Sequence, residues 1–456
     1  MKKRLLVAMI AAFASTAGWA APKVYILQVR DSLAERHVDA VVSAGGTIRL
    51  LHAGAGLVIA GSENATFAAQ VTASGLFLTA NPDRLVQWTP SVHPQDFGEA
   101  AITPGDETFW NLQWAPRAIQ ADKAWDEGCT GKGVRVAILD GGLYDSHIDL
   151  TDNIDQDASR SFISGYSYNQ DVGTFWHGTH VAGIVAAEDN GIGTIGIAPE
   201  ATLIGVKVLH GGSGPFEAII SGILYAATPE ALGGAGADII NMSLGAVFPR
   251  NDPDARGLVA ALNRAVNFAD RHGVLVISAA GNDSLDLDHS RNLIAAPAQS
   301  GSGIAVSATG PVGFAVGYPD GATNFSRPAS YTNYGTSAIL VAAPGGDFAL
   351  EGDAVCSIPR LPSGNVTAAC WVFDMVMSTA RGSPSSTASY AWAAGTSMAA
   401  PAASGVAALI KGANPGISLG ALKGRLAQSA DDLGNFGSDP YYGRGFVNAQ
   451  RACLGR

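Results

Sequence analysis

Gly395-Thr396-Ser397-Met398-Ala399-Ala400-Pro401 opens a run of small and apolar residues that continues to Ile410. Small polar residues from Ser383 to Tyr390 precede it. The pattern predicts a loop that turns into a closely packed helix. Pro401 is expected in the first turn, where its missing N–H costs little. Ser397 then sits at the loop-to-helix junction. Its backbone N–H is not used by the helix and can face a developing negative charge. A buried, serine-rich helix start would read the same way, so the rest of the chain has to decide.

Upstream, short apolar runs alternate with helical stretches. Val134–Asp140, Leu203–Leu209, Ala237–Ser243 and Gly273–Ala280 read as buried strands, followed by Ile304–Ala308 and Ile339–Ala343. Helical patterns cover Glu217–Ala227 and Arg256–His272. This alternation predicts an α/β domain with a mostly parallel central sheet covered on both faces. Ligands of such sheets bind beyond the carboxyl ends of the strands. Asp140, Ser243 and Asn282 are all expected there.

The chain before Trp110 has a different texture. Residues 1–20 read as a secretory signal, with Lys2, Lys3 and Arg4 ahead of an apolar run and small residues at Gly18 and Ala20. That run is too short to span a membrane comfortably. Residues 21–92 are expected to be a small α+β unit in β-α-β-β-α-β order, ferredoxin-like, with its last strand at Arg84–Trp88. Residues 93–108 read as an exposed linker, and 109–456 as the large domain. Of the 456 residues 47% are hydrophobic and 15% charged, enough apolar material for a large core. The net charge of −11 argues against nucleic acid as the main partner. Four cysteines, Cys129, Cys356, Cys370 and Cys453, suggest disulfides in an exported chain and allow three pairings.

Three further motifs carry chemistry. Asp140 ends a strand ahead of Gly141-Gly142. Trp176-His177-Gly-Thr-His180-Val-Ala-Gly183 places a histidine at the start of a small-residue helix. Ala279-Ala280-Gly281-Asn282 ends another strand. Taken singly, each reads as a turn or a packed helix start. Together they supply a nucleophile, a base, an orienting carboxylate and an amide donor for an oxyanion.

In that order these motifs resemble the subtilisin-like serine proteases, the subtilase family. The resemblance implies a subtilisin-like three-layer fold, with Ser397 as nucleophile, His177 as base, Asp140 as its orienting acid and Asn282 as oxyanion donor. His180 would be a structural histidine. Ser243, Leu244 and Gly245 resemble the family strand that pairs with substrate, and Gly212, Ser213 and Gly214 the opposing edge, so a peptide would add between them as a strand. Ala279, Ala280 and Gly281 would leave room for a side chain. Glu188-Asp189-Asn190-Gly191-Ile192-Gly193-Thr194 aligns with the family's calcium loop. That implies Ca²⁺ held by Asp149, Glu188, Asn190, Ile192 and Thr194, with Gln113 as an N-terminal ligand. The first unit resembles the family's inhibitory propeptide, removed by self-processing. Implied partners are protein or peptide substrates and the chain's own propeptide, with no nucleic acid, no membrane after signal cleavage, and a monomeric state. The implied location is extracellular or periplasmic.

The expected disulfides are Cys356–Cys370, inside an extra stretch at Gly346–Trp392, and Cys129–Cys453, which the family fold brings to one side. One departure is Gly141, where the family commonly has Ser or Thr. A hydrogen bond near Asp140 is expected to be absent. The rival readings are a dedicated processing protease and a binding protein on an inactive subtilase scaffold.

Overall fold

The computed structural model describes residues 22–89, 95–98, 107–319, 324–383 and 388–455. The signal segment 1–20 and parts of the linker lie outside these residues.

The first unit runs β1 (Lys23–Val29), α1 (Glu35–Ser43), β2 (Gly46–His52), β3 (Leu57–Ser62), α2 (Phe67–Ala73) and β4 (Phe77–Pro82). Its antiparallel sheet has the order β2-β3-β1-β4. Tyr25, Leu27, Val41, Phe67, Val71 and Phe77 form a small core between the sheet and both helices. The closing strand is Phe77–Pro82, not the expected Arg84–Trp88. Leu85–Gln87 (β5) leaves the small sheet and pairs antiparallel with Ser213–Pro215 of the large domain. Both stretches alternate in the way a strand does. Only β4 follows α2 closely enough to return beside β1.

The expected linker is not uniformly exposed. Gln95–Gly98 (β6) pairs with the strand Ser389–Ala393, and Glu107 and Thr108 are buried.

The large domain continues with α3 (Trp114–Ala118), α4 (Ala121–Asp126), β7 (Arg135–Asp140), β8 (Arg160–Ser161), α5 (His177–Ala186), β9 (Thr202–Lys207) and β10 (Ser213–Pro215). Next come α6 (Phe216–Ala227), β11 (Ile239–Met242), β12 (Ala246–Pro249), α7 (Pro253–Arg271) and β13 (Leu275–Ala279). Then follow β14 (Leu293–Ala296), β15 (Ile304–Thr309), β16 (Ile339–Pro344), β17 (Val355–Pro359) and β18 (Asn365–Ala369). The chain ends with β19 (Val376–Ala380), β20 (Ser389–Ala393), α8 (Thr396–Ala413), α9 (Leu419–Gln428) and α10 (Ala449–Leu454).

Among the described residues seven parallel strands form the central sheet, in the order β16-β15-β13-β11-β7-β9-β8. Two apolar cores cover it. One gathers α5, α8 and α10 on one face; the other gathers α6 and α7 on the opposite face. This is the expected three-layer α/β domain. Because the strands are parallel, the ends of β7, β11 and β13 share one edge, and α5 and α8 begin there.

Small residues set how closely the helices approach. A Cβ on Gly178 would lie 3.0 Å from Asp140 Cβ, and one on Gly405 would lie 2.5 Å from Ile197 Cβ. Neither position leaves room for a side chain, so α5 and α8 can sit tight against their neighbours.

Both disulfides are present as expected. Cys129–Cys453 ties the end of α4 to α10, with Cα atoms 6.2 Å apart. Cys356–Cys370 closes the β17–β18 hairpin, with Cα atoms 4.8 Å apart.

Candidate active site

Four sequence-distant residues converge at the carboxyl edge of the sheet. Asp140, the last residue of β7, is 2% exposed. Its two carboxylate oxygens lie 3.0 and 2.9 Å from His177 Nδ1. His177 is the first residue of α5. Burial alone would push its imidazole down, but Asp140's charge and hydrogen bond, with Asp171 behind it, hold it above its ordinary value. His180, one turn on, behaves differently. Its Nε2 meets the Ala391 carbonyl at 3.0 Å, and burial takes its pKa down to about 3, so it is a neutral structural residue.

Ser397 is the second residue of α8 and is fully buried. Its hydroxyl donates to the Ser243 carbonyl at 3.2 Å. His177 Nε2 is buried with no hydrogen-bond partner among the described residues. A turn of the Ser397 hydroxyl is therefore needed before the histidine can take its proton. Catalytic hydrogen bonds are often unformed until substrate binds.

Pro401 is a correction. It lies in the second turn of α8, not the first, and so removes an N–H that would bond the Ser397 carbonyl four residues earlier. That carbonyl accepts instead from Ser243 Oγ at 2.7 Å. Asn241 Nδ2 donates to Ser243 Oγ at 2.9 Å, and Ser404 Oγ donates to Asn241 Oδ1 at 3.0 Å. The proline is compatible with the helix because Ser243, just past β11, supplies a hydroxyl to the carbonyl it leaves free.

Asn282 follows β13. Thr396 donates to its Oδ1 twice, from N at 2.9 Å and from Oγ1 at 2.7 Å, while Gly281 N donates to Thr396 Oγ1 at 3.0 Å. With its oxygen so held, the amide must aim Nδ2 the other way. The point where a Cβ on Gly395 would lie is 3.2 Å from Asn282 Nδ2 and 3.6 Å from Ser397 N. Asn282 Nδ2 and Ser397 N thus lie close to the same glycine, where a side chain would crowd them. Buried Asn333 braces the same loop, accepting from Asp283 N and Leu285 N and donating to the Ala280 carbonyl at 3.0 Å. Thr396 and Asn333 carry no motif by which the sequence would single them out.

Leu244, Gly245, Ala279, Ala280 and Gly281 line a cavity of about 360 Å³ beside Ser397, as their small size suggested. Gly212, Ser213 and Gly214 form the opposite edge. The chain itself runs between the two. β5 pairs with Ser213–Pro215, Trp88 N donates to the Gly212 carbonyl at 2.9 Å, and Gly245 N donates to the Trp88 carbonyl at 2.8 Å. The Trp88 ring is fully buried, edge-on to Phe216 at 4.9 Å and near Phe248 at 5.8 Å, and its Nε1 donates to the Gly214 carbonyl.

The expected calcium residues divide. Asp149 is fully buried, with Oδ2 accepting from Thr194 N and Oγ1, both at 3.0 Å. Asn190 Oδ1 accepts from Ile192 N, and Glu188 Oε1 from Asp152 N. Gln113 bonds both backbone groups of Ile195, the residue after Thr194. Glu107, absent from the expected set, reaches the loop and accepts from Asn190 N and Gly191 N. Asp149 Oδ1 and Glu107 Oε2 are buried with no hydrogen-bond partner among the described residues. Burial raises both pKa values, Glu107 to about 8, and the two charges oppose each other. The Tyr390 hydroxyl also bears on Asp149, and the two carboxylate oxygens left without a well-formed hydrogen bond fit a hard cation. Glu188 and Asn190 each also accept hydrogen bonds within or beside the loop.

Comparison with known proteins agrees with this geometry. Residues 131–445 match the subtilase family, peptidase S8. The chain is 36% identical to subtilisin DY of Bacillus licheniformis over 336 residues, 74% of this chain and 96% of that one. It is 32% identical to thermitase of Thermoactinomyces vulgaris over 359 residues, 77% of this chain and 99% of that one. Among solved structures, a protease from Pseudoalteromonas arctica aligns with a TM-score of 0.58 and 30% identity, covering 77% of this chain and 99% of that one. The epidermin leader peptide processing protease of Staphylococcus aureus shares the fold over 94% of this chain and 97% of its own, with a TM-score of 0.69 and 20% identity. With a parallel sheet that delivers an acid, a histidine, an amide and a serine to one edge in this order, the chain belongs to the subtilase family and is a subtilisin-like serine endopeptidase.

Proposed function

We propose that Ser397 attacks the peptide carbonyl, that His177 takes its proton and passes it to the leaving amine, and that Asp140 orients and steadies the imidazolium. Asn282 Nδ2 and Ser397 N bind the oxyanion, and water then releases the acyl-enzyme. The observation that carries this reading is the bonding of His177 Nδ1 to both oxygens of Asp140 at the sheet edge where Ser397 and the anchored Asn282 also lie. Labelling by a fluorophosphonate tests it. Wild type is labelled at Ser397, Ser397→Ala is not, and labelling elsewhere refutes the assignment.

Residues 21–92 act as an inhibitory propeptide in a secreted, self-processed zymogen. The strand Leu85–Gln87 and the buried Trp88 lie in the cleft as a product would, which supports this. The mature enzyme acts as a monomer on protein or peptide substrates. Ca²⁺ would be held by Asp149 and Glu107; when bound, it supplies positive charge that lets two buried carboxylates stay ionised.

A further inference from the structure

Gly141 leaves the residue after Asp140 without a side chain, and the space it leaves is taken. A Cβ there would overlap Asp171 Oδ2 and lie 3.1 Å from Asp171 Cγ. A Cβ on Gly142 would lie 2.8 Å from the Gln170 carbonyl oxygen and 3.1 Å from Asp171 Cβ. The Gln170-Asp171 segment is therefore seated on the turn that follows Asp140. Asp171 Oδ1 is fixed by Gly211 N at 2.9 Å. From the other side, Lys207 ends β9 in register with Asp140 on β7. Lys207 is 1% exposed, and its Nζ donates to the Gly141 carbonyl and, at 2.7 Å, to the Leu209 carbonyl. His210 Nδ1 lies 3.3 Å from Lys207 Nζ and 3.6 Å from Asp171 Oδ1, with Tyr166 stacked on its ring. A buried ammonium bonded to backbone carbonyls and an imidazole, with no carboxylate in direct contact, is costly unless negative charge lies near.

We propose that Asp171 and Lys207 are a positioning pair of opposite charge that clamps the Asp140–Gly141 turn and tunes His177, in place of the hydroxyl side chain common at this position. The proposal rests on the Asp140–His177–Ser397 reading. Burial lowers Lys207 to about 8 while Asp171 and Asp140 act against it, so it stays a cation through neutral pH. Asp140 and Asp171 act on His177 directly, and His177 in turn helps to depress buried, neutral His180. Lys207 and His210 stand behind Asp171, and Arg381 lies over the Trp176 ring at the entry to α5. Asp171 favours the imidazolium form of His177, and Lys207 disfavours it.

The test is the pH profile of kcat/KM for the matured enzyme. Asp171→Asn keeps the shape and removes a negative charge, so the acid limb should move to lower pH. Lys207→Met removes a positive charge, so the limb should move to higher pH. Each shift should be roughly 0.3–1 pH unit for charges at this range. Limbs that stay put, or move in one common direction, overturn the proposal. If Lys207→Met does not fold, Asp171→Asn alone decides by the sign of its shift. The clamp has its own readout. Gly141→Ser should lose about tenfold or more in kcat/KM, and Gly141→Ser/Asp171→Ala should recover most of it; no recovery refutes the clamp. Ser397→Ala is assayed alongside. Activity in that variant would refute the triad reading itself, whereas an inactive Ser397→Ala with unshifted limbs would overturn only the charged pair.

Discussion

Asn282 is held by its acceptor end, which is an economical way to aim a donor. Thr396 uses both its N–H and its hydroxyl on Asn282 Oδ1. Asn282→Ala should lower kcat by roughly 10²–10³-fold with little change in KM, the size found when one such donor is removed from subtilisin. Steady-state kinetics decide it, and an unchanged kcat would mean the oxyanion is bound elsewhere. Thr396→Val should cost less, because the amide loses one anchor and keeps its donor. The four principal residues were legible in the sequence because each sits in a run of glycine and alanine that chemistry and close packing both require. Thr396 and Asn333 were not. Each acts through one amide oxygen whose position depends on how two loops meet. Pro401 was misplaced by a turn because the residue that compensates for it, Ser243, lies 158 positions away just past the end of β11.

The calcium loop shows at the scale of an element what a local pattern leaves open. The run Glu188–Thr194 was legible as a loop with oxygen ligands, but Glu107 comes from the far end of the linker, and no spacing rule connects the two. Without a cation, Glu107 is protonated more readily in the fold, with its pKa at about 8, than in the unfolded chain, at 4.5. A raised carboxyl pKa gives stability that is present at low pH and is lost as pH rises between those two values. A chelated enzyme should therefore lose melting temperature from about pH 5 to 8. Added Ca²⁺ should restore it most at the alkaline end, and Glu107→Gln should flatten the pH dependence. Melting curves that do not respond to chelator at pH 8 would remove the cation from the account. The β17–β18 hairpin is a second element whose staple was readable from fourteen residues of spacing. Reducing Cys356–Cys370 should cost roughly 3 kcal/mol in the chain-entropy account, measurable against a Cys356→Ser/Cys370→Ser variant by denaturant unfolding.

Over the whole molecule, the first unit docks on α6 and α7 and threads its tail into the cleft. The sequence made the unit's element order readable but not the use of its last strand. An edge strand alternates in the same way whether it completes its own sheet or pairs with another domain. Three kinds of contact hold the unit in place, the first an apolar sheet face of Ile26, Leu57 and Ile59 that joins the core formed by α6 and α7. Arg84 meets Asp252 at 2.6 Å, and Arg49 meets Glu217 at 3.3 Å, both partly exposed. Such pairs contribute about 0–1 kcal/mol each. Trp88 is fully buried between Phe216 and Phe248, and truncating a buried tryptophan costs roughly 3–5 kcal/mol. The aromatic anchor should therefore outweigh the ion pairs, alongside the buried sheet face. In the full chain, Ser397→Ala should remain uncut. The wild type should mature with an N-terminus between residues 90 and 95, past the strand that lies in the cleft. Trp88→Ala should shorten the lag between the cut, read on a gel, and the appearance of activity on added peptide, because the severed unit leaves roughly 10²-fold faster. Arg84→Ala should change that lag little. A lag that is unchanged in Trp88→Ala, or shortened equally by Arg84→Ala, would show that the cleft is held closed by the domain face and not by the tryptophan.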